Sequence, residues 1–400
     1  MQKSMQYFTR SSCAVIALLG VASAAPALAQ TNVNAAPAPK QTDANPGGDI
    51  IVTARRTEER LQDVPISITV FNQQQLSSRN IVNSEDLAIY TPSLSANSNF
   101  GSDNSSFAIR GFAQDSGTAP SVGVYFADVV SPRGASNGVP TGDGAGPGSF
   151  FDLQNVQILK GPQGTLFGRN TTGGAVLLVP QKPTRKFEGY VEGSIGNYDM
   201  RRVQAVVNIP LGDTARLRLG MDRQMRDGYL RNVGTLGPRD FADLDYVAVR
   251  GSLVVDLTPD LENYTIVSYS KSDNHGPIQK LVVAGSAGLG SFAVEQLTRQ
   301  GPGFYDVMQT MPAASSKSEQ WQIVNTTTWT ASDTLTVKNI VSYAQFKQRL
   351  FAPLFGTDFV VDFAQISPFL ASLGSYHFPF ATVTAPPGKN TADQSTFTEE

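Results

Sequence analysis

Side chains that could catalyse a reaction or ligate a metal are scarce in this sequence. It contains two histidines and one cysteine, too few for a zinc cluster or a disulfide framework. His275 and His377 both lie in predicted loops, where a histidine is usually just solvated. We therefore expect no enzymatic activity, no metal site and no cofactor.

Glycines cluster in a segment that resembles a phosphate-binding loop only superficially. Within residues 161–174 there is neither G-x-x-x-x-G-K-[ST] nor G-x-G-x-x-G, and an apolar strand follows rather than a long helix. A phosphate cradle needs a helix N-terminus that points at the anion. Tight turns, where one backbone passes close to another, account better for these glycines. They are Gly161, Gly164, Gly168, Gly173 and Gly174.

Composition argues against a nucleic-acid-binding protein. Charged residues make up 16% of the 400 residues, with a net charge of −3, whereas soluble domains average about 25% charged residues. A basic face for nucleic acid is therefore not expected. The 36 glycines and 24 prolines indicate a chain with many turns.

The first 29 residues have the pattern of an export signal. Lys3 and Arg10 precede a short apolar run at residues 13–21, and residues 27–29 (Ala-Leu-Ala) form a small-residue cleavage site. The run is far shorter than the ~20 residues of a spanning helix. We expect a Sec-type signal peptide over residues 1–29, with a buried N-terminal helix as the alternative.

A flexible tether with a β-prone end is expected at residues 30–60. Residues 31–48 are rich in Pro, Ala, Asn and Gly and predict a mobile linker. A short β-prone segment on such a linker is suited to pairing with a partner's sheet edge, but it is equally suited to being the first strand of the next domain. The segment consists of Asp49, Ile50, Ile51, Val52, Thr53 and Ala54.

Residues 61–183 predict one mixed α/β domain. The first strand is expected within residues 61–71, and a short helix over Ser84–Tyr90, capped by Ser84 and stopped before Pro92. Further strands are expected at Ser106–Phe112, at Ser121–Val130 and on both sides of the glycine-rich segment.

From residue 184 onward, apolar and polar residues alternate. Val203, Ala205 and Val207, for example, alternate with Arg202 and Gln204. This pattern predicts strands of ~9–11 residues with one apolar and one polar face. The predicted strands are Phe187–Ile195, Arg201–Leu211, Ala215–Met221, Val247–Leu257, 261–270, 319–329 and 335–346, with the start of another at Ser395–Glu400.

The connections favour a transmembrane barrel over a secreted β-sandwich. Tight turns near residues 212, 259 and 332 alternate with long connections at 223–244, 271–317 and 347–395. Short turns at one end and long loops at the other are typical of outer-membrane barrels. About seven strands cannot close a barrel around the preceding domain, so we expect a piece of a longer protein.

Several motifs, in order, resemble those of TonB-dependent outer-membrane receptors, and the resemblance covers residues 1–400. They are DIIVTARR (49–56), LQDVPISITVF (61–71), FAIRGF (107–112), VGVYFADVV (122–130) and the stretch from Phe151 to Thr184. The resemblance implies a plug domain at 61–183 and, at 184–400, the first part of a 22-stranded antiparallel barrel. Gln157 and Lys160 stand where the family usually has Glu and Arg.

Site residues and partners follow from this resemblance. Residues 49–54 are expected to bind the periplasmic domain of TonB, which is energised by an inner-membrane complex. Lumen-facing Glu188 or Glu192 is expected to pair with a plug cation such as Arg110 or Lys160, with the alternative that both merely face water in the lumen. The expected plug signature comprises Arg110, Gly111, Lys160, Gly161, Pro162, Gly164, Gly168, Gly173 and Gly174.

The implied function is energy-coupled uptake across the outer membrane of a Gram-negative bacterium, in contact with outer-membrane lipid. A ferric siderophore is the first expectation. Alternative ligands are cobalamin, a saccharide or an aromatic compound. A further alternative is that the chain is a truncated fragment without transport activity. A plug that fills the lumen argues against a passive porin. Ligand contacts are expected around Asn97–Ser106 and Arg133–Asp143 and at His275.

Overall fold

The computed structural model describes residues 51–399 except 58, 99–100, 115–117, 135–141, 236, 286–293, 309–313, 363–374 and 384–390. The predicted signal peptide, most of the predicted tether, Asp49 and Ile50 lie outside the described residues. Among the described helices, none has the length and apolar character needed to cross a bilayer.

The first domain is built on a five-stranded mixed sheet. Its order is β3-β8-β9-β6-β7, in which β6 and β9 are parallel and the other neighbours antiparallel. Two smaller sheets pair β1 with β2 and β4 with β5. The strands are β1 (Ile51–Val52), β2 (Glu59–Arg60), β3 (Ile68–Asn72), β4 (Leu94–Asn97), β5 (Ser106–Ile109), β6 (Val122–Phe126), β7 (Val129–Val130), β8 (Leu153–Lys160) and β9 (Gly174–Pro180).

Short helices connect these strands. They are α1 (Gln73–Ser78), α2 (Ser84–Ile89) and α3 (Gly164–Phe167). A helix over 84–90 was predicted correctly, but its cap was not: the Asn83 side chain accepts from the Asp86 N–H at 2.8 Å. Ser84 instead donates to the Ala145 carbonyl at 3.1 Å. Asn83 is therefore the N-cap residue, and its side-chain oxygen satisfies the backbone N–H of Asp86 at position N3.

The second half forms one large antiparallel sheet, with nine strands in the described residues. In this sheet β10, β11, β12, β15, β16, β18 and β19 pair in chain order, and β20 and β21 pair with successive parts of β19. The strands are β10 (Glu188–Gly196), β11 (Met200–Leu211), β12 (Ala215–Arg226), β15 (Leu244–Thr258), β16 (Leu261–Asn274), β18 (Ser315–Ser332), β19 (Leu335–Asp362), β20 (Ser375–Val383) and β21 (Thr391–Glu399).

The two faces of this sheet are inverted relative to a soluble protein. Polar side chains such as Arg202, Gln204 and Asn208 are buried on one face, where Arg202 and Gln204 line a cavity together with residues of the first domain. Apolar side chains such as Leu219 and Val267 are exposed on the other face. The predicted alternation is thus confirmed, and an apolar outer face is what a lipid-facing strand requires.

The hydrophobic core of the first domain extends onto the inner face of the sheet. Phe71, Phe107 and Ile158 belong to the same cluster as Ile266 of β16 and Ile340 of β19. The first domain therefore fills the space that the curved sheet partly encloses, as a plug does, and within the described residues the sheet is not closed.

The predicted connections are right at one end of the sheet and partly wrong at the other. Tight turns join β11 to β12, β15 to β16 and β18 to β19, and define the short-turn end. Long loops at 227–243 and 275–314 define the long-loop end. The third predicted loop, 347–395, is wrong, because β19 continues to Asp362 and pairs there with β20. The 22-strand count stays a prediction.

The two long loops contain structure of their own. They hold β13 (Leu230–Asn232), β14 (Asp240–Phe241), α4 (Val294–Gln300) and β17 (Asp306–Val307). β13 pairs with β14 and with β17, which joins the two loops into one small sheet. Phe241, Ile278, Val307 and Ala314 form its buried apolar cluster.

Candidate functional site

The β-prone segment after the tether is docked on the plug. Val52 and Ala54 are completely buried, whereas Ile51 is 42% exposed. β1 pairs antiparallel with β2, with Val52 opposite Glu59. The described part of the predicted partner-binding segment is therefore held in place rather than free.

Gln157, on β8 of the plug sheet, makes the most specific contact with this segment. The backbone N–H of Thr53 donates to Gln157 Oε1 at 3.1 Å. Gln157 Nε2 donates to Thr53 Oγ1 at 3.3 Å and to Asn155 Oδ1 at 3.0 Å. A completely buried amide thus has a partner for its carbonyl and for both of its hydrogens.

Arg56 adds a second attachment at the short-turn end. Its Nη1 donates to the Asp128 carbonyl at 2.8 Å, and its guanidinium lies 4.6 Å from the centre of the Phe167 ring. The Asp128 carboxylate in turn pairs with Lys338 near the start of β19, at 2.7 Å. Contacts therefore lead from the docked segment through the plug to the sheet.

The glycine signature shapes the hairpin between β8 and β9. Gly161 has φ +112°, and its N–H donates to the Gly173 carbonyl at 2.9 Å. A Cβ at Gly174, which has φ +154°, would lie 2.2 Å from the Leu159 carbonyl oxygen. The prediction of closely approaching backbones is right at these two positions. The short helix α3, which contains Gly164, was not predicted.

Arg110 and Lys160 lie at the same hairpin. Arg110 has a left-handed backbone, φ +52°, before Gly111 at φ +82°. A Cβ at Gly161 would lie 3.4 Å from Arg110 Nη1. Burial, together with the Arg110 charge, lowers the pKa of Lys160. Pro162 follows directly and leads the chain into α3.

The expected ion pairs of Glu188 and Glu192 are not observed in the described part of the chain. Both glutamates are exposed on the edge strand β10, and Glu188 accepts from the Thr184 hydroxyl at 2.7 Å. Glu192 faces the α1 side of the plug, next to a cavity lined by Asn80 and Asp152, rather than the hairpin of Arg110 and Lys160.

Two plug–sheet ion pairs, Asp152–Arg218 and Asp128–Lys338, have the opposite polarity, with the acid on the plug and the base on the sheet, whereas Lys182 at the end of the plug pairs with Glu262 of β16. Asp152 accepts from Arg218 Nε at 2.8 Å and from its Nη2 at 2.5 Å, and both side chains are buried. Arg250 Nη1 donates to the carbonyls of Phe151 and Asp152 at 3.0 and 3.2 Å. Its guanidinium lies 4.7 Å from the Phe126 ring centre and 4.6 Å from that of Phe151.

A cavity of about 440 Å³ lies at the long-loop end, between plug loops and sheet. Ser98, Gly101 and Ser102 contribute to its lining from one of the predicted ligand-contact segments. Its lining also includes Asn83, Glu85, Arg226, Tyr229, Tyr246 and Asn274. Its volume lies within the ~300–1,000 Å³ of small-molecule pockets, and aromatic side chains and polar groups converge on it.

Two buried plug carboxylates lie near this end. Asp103 Oδ2 accepts from Asn274 Nδ2 at 3.0 Å and from Ser316 Oγ at 2.9 Å, which fixes the plug to two strands of the sheet. Burial raises the pKa of Asp103. Asp143 accepts from the Phe107 N–H at 2.6 Å, and burial raises its pKa to about 7. Most of the predicted 133–143 segment lies outside the described residues.

His275 is not part of the cavity wall. Its backbone N–H donates to Asp243 at 2.9 Å, and its Nδ1 lies 3.3 Å from Asp240 Oδ1. Its neighbours Asn274 and Gly276 do contribute to the cavity. Over the described residues, no group of three or more His, Cys, Asp or Glu side chains is arranged to hold a metal ion.

Comparison with known proteins agrees with this architecture. Residues 60–175 match the TonB-dependent Receptor Plug Domain family. The pesticin receptor of Yersinia pestis is 29% identical over 224 residues, which are 55% of this chain and 31% of that protein. The ferripyoverdine receptor of Pseudomonas aeruginosa is 27% identical over 168 residues, 42% of this chain and 19% of that protein.

Solved structures show the same fold. The ferric yersiniabactin uptake receptor of Yersinia pestis superposes with a TM-score of 0.57 at 20% identity, over 72% of this chain and 42% of that one. The chain thus spans less than half the length of each of these relatives.

Proposed function

We propose that this chain is part of a TonB-dependent receptor and that the whole protein takes up a ferric siderophore across the outer membrane with energy delivered by TonB. The observation that carries the proposal is the plug itself. It holds the residue 52–54 segment at the short-turn end, and it contributes to a cavity at the long-loop end.

Two relatives support a metal chelate as the ligand, because one is a ferripyoverdine receptor and another a metal-pseudopaline receptor. These proteins are receptors, which agrees with the expectation that this protein is not an enzyme. The exposed apolar face of the sheet supports a location in the outer membrane, and the sequence pattern of residues 1–29 supports Sec-type export.

The proposed mechanism is mechanical because a receptor in the outer membrane has no nucleotide supply. Ligand in the outward cavity shifts the plug loops, and the segment at residues 49–54 is released into the periplasm. TonB pairs with that segment by strand addition, and pulling rearranges the plug. In this mechanism the long-loop end faces the exterior.

TonB capture tests the partner. We expect the periplasmic domain of TonB to retain the wild-type protein on a resin and to lose the Ile51→Pro variant, since proline removes a ladder donor. Ile51→Val, which keeps both the backbone N–H and a β-branched side chain at the same position, serves as the control and should be retained. Equal capture of Ile51→Pro and wild type would contradict the assignment of residues 49–54.

Growth under iron limitation tests the ligand class. The protein is produced in a host that lacks its own siderophore receptors and is supplied with one ferric siderophore at a time. We expect at least one chelate to restore growth, and only in cells that contain TonB. Growth restored equally without TonB would contradict energy-coupled uptake. Failure of every ferric chelate, with TonB capture intact, would favour cobalamin, a saccharide or an aromatic compound.

A further inference from the structure

The amide of Gln157 is engaged on both sides by the segment that follows the tether. The residue is completely buried and lies in the middle of β8, opposite Val70 of β3 and Leu177 of β9. The sheet fixes its backbone on both edges, so its side chain projects from a rigid platform. Its oxygen accepts from the Thr53 N–H, and its nitrogen donates to the Thr53 hydroxyl.

An amide is chemically matched to this pair of contacts. It accepts and donates at the same time, whereas a carboxylate accepts only and an alkyl side chain does neither. Thr53 offers a donor in its backbone and an acceptor in its side chain, and Gln157 satisfies both. Burial of these groups without partners is unfavourable, so the contact favours the docked segment.

The contact controls residues on both sides of Thr53. Val52 and Ala54 are completely buried when Thr53 is held. Both flank the one residue that Gln157 holds, so release of Thr53 would allow them to leave the plug together. Release of one residue would thus free the segment as a unit.

We propose that Gln157 is the positioning residue that holds Val52–Ala54 on the plug and sets the fraction of molecules whose segment is free before ligand binds. Its consequence for transport rests on the proposed function, but the docking equilibrium itself is measurable without TonB or ligand.

Cysteine labelling measures this equilibrium. Cys13, the only cysteine of the sequence, lies in the predicted signal peptide, so Val52→Cys gives a single labelling site in the processed protein, and a Cys13→Ser background ensures the same in any unprocessed chain. Cysteine is slightly smaller than valine and fits the buried position. In the purified full chain, the rate of maleimide labelling reports how often Val52→Cys becomes exposed.

Gln157→Leu, which keeps the bulk and removes the amide, is expected to raise the labelling rate about tenfold, the factor that corresponds to one buried hydrogen-bonding contact. Thr53→Val, which keeps the Thr53 N–H, is expected to raise it less. Gln154→Leu is the matched control, because Gln154 is exposed on the same strand, and its rate should equal that of wild type.

A second cysteine distinguishes local release from unfolding. Val176 is completely buried in the plug core, so Val176→Cys should stay unlabelled in the Gln157→Leu background. Faster labelling of Val52→Cys with Val176→Cys protected supports the proposal. If Gln157→Leu exposes both cysteines, that variant unfolds the plug, and the labelling rate of Val52→Cys in Thr53→Val then tests the proposal: a raised rate supports it and a wild-type rate contradicts it.

Wild-type labelling rates in Thr53→Val, and in Gln157→Leu with an intact core, would overturn the proposal. TonB capture of the same variants separates the two proposals. Faster labelling without increased capture would contradict the TonB-binding role of the segment and leave the role of Gln157 in docking intact.

Discussion

Asp152 shows how a single side chain couples the plug to the sheet. Its carboxylate forms two hydrogen bonds with Arg218, and its backbone, at φ +50°, presents its carbonyl to Arg250. Asparagine tolerates the same left-handed backbone, so Asp152→Asn removes the charge with little backbone strain. It leaves Arg218 buried without a counter-charge.

We expect Asp152→Asn to lower the free energy of unfolding by about 3 kcal/mol, because breaking a buried pair leaves an uncompensated charge. The urea midpoint of the full chain in detergent measures the change. The exposed pair of Arg201 with Asp199 is the control, and Arg201→Ala should change stability by less than about 1 kcal/mol. Equal small effects would contradict the assigned role of Asp152.

Asp143 predicts a pH dependence. Burial raises its pKa to about 7, so the folded protein holds this proton more tightly than the unfolded chain does. The free energy of unfolding should therefore fall as pH rises from about 4, the unfolded pKa, to about 7, and remain lower above it.

The Asp143→Asn variant should lack this slope. Its urea midpoint should match that of the wild type near about pH 4 and exceed it at about pH 8. The carboxamide still offers an oxygen to the Phe107 N–H, so the local hydrogen bond is preserved. A variant whose pH profile runs parallel to that of the wild type would show that Asp143 titrates normally.

At the residue scale, the sequence indicates which residues have a special role better than it indicates which residues they contact. Residues 49–54 stand out by β propensity and by their position after a linker. Their contact with Gln157 could not be predicted, because Thr53 and Gln157 are 104 positions apart. Glu188 and Glu192 were assigned the wrong partners for a related reason: alternation gives the face of a strand but not the part of the plug opposite it.

At the element scale, the β8–β9 hairpin depends on one glycine. A side chain at Gly174 would meet the Leu159 carbonyl oxygen, whereas a side chain at Gly164 has no atom within 4 Å. We expect Gly174→Ala to destabilise the plug by about 2–3 kcal/mol, through strain at positive φ and a backbone clash.

Gly164→Ala is the matched control, and it should be neutral or slightly stabilising because alanine favours the helix. Protease resistance and the urea midpoint of the full chain both report the difference. If Gly174→Ala were as stable as Gly164→Ala, the close approach of the two strands would not be a structural requirement.

Strands were predicted well where apolar and polar residues alternate. They were predicted poorly where the strand depends on hydrogen bonds to a distant neighbouring strand and shows no such alternation. β11 and β15 follow the alternation closely. β19 extends to Asp362 because β20 pairs with its second half, and such a long-range partner leaves no local pattern. Helices α1 and α3, at six and four residues, are too short for a helical period to be detected.

The long loops also form more structure than their composition predicts. Arg231 and Asp306 join β13 to β17 through hydrogen bonds of 2.8 and 3.0 Å. Lys280 Nζ donates to the Gly303 and Asp306 carbonyls at 2.7 and 2.6 Å. The two loops that border the cavity are therefore held together by strand pairing and by the Arg231–Asp306 ion pair.

At the scale of the whole molecule, β8 links the two halves of the proposed mechanism. Asp152 immediately precedes it and is clamped by Arg218 and Arg250 of the sheet. Gln157 in its middle holds the segment at 52–54. A shift of the plug relative to the sheet would therefore act on the strand that carries the docking contact.

Energy-coupled uptake is tested most directly by measuring ligand binding and ligand transport in the same cells. For a ferric chelate that restores growth, radioiron bound to the cell surface and radioiron accumulated inside are compared for wild type and Ile51→Pro. In the proposed mechanism the chelate binds at the long-loop end, whereas Ile51 lies at the docked segment, so the variant should bind normally and accumulate no more iron than cells without TonB. Normal accumulation by Ile51→Pro would contradict the account.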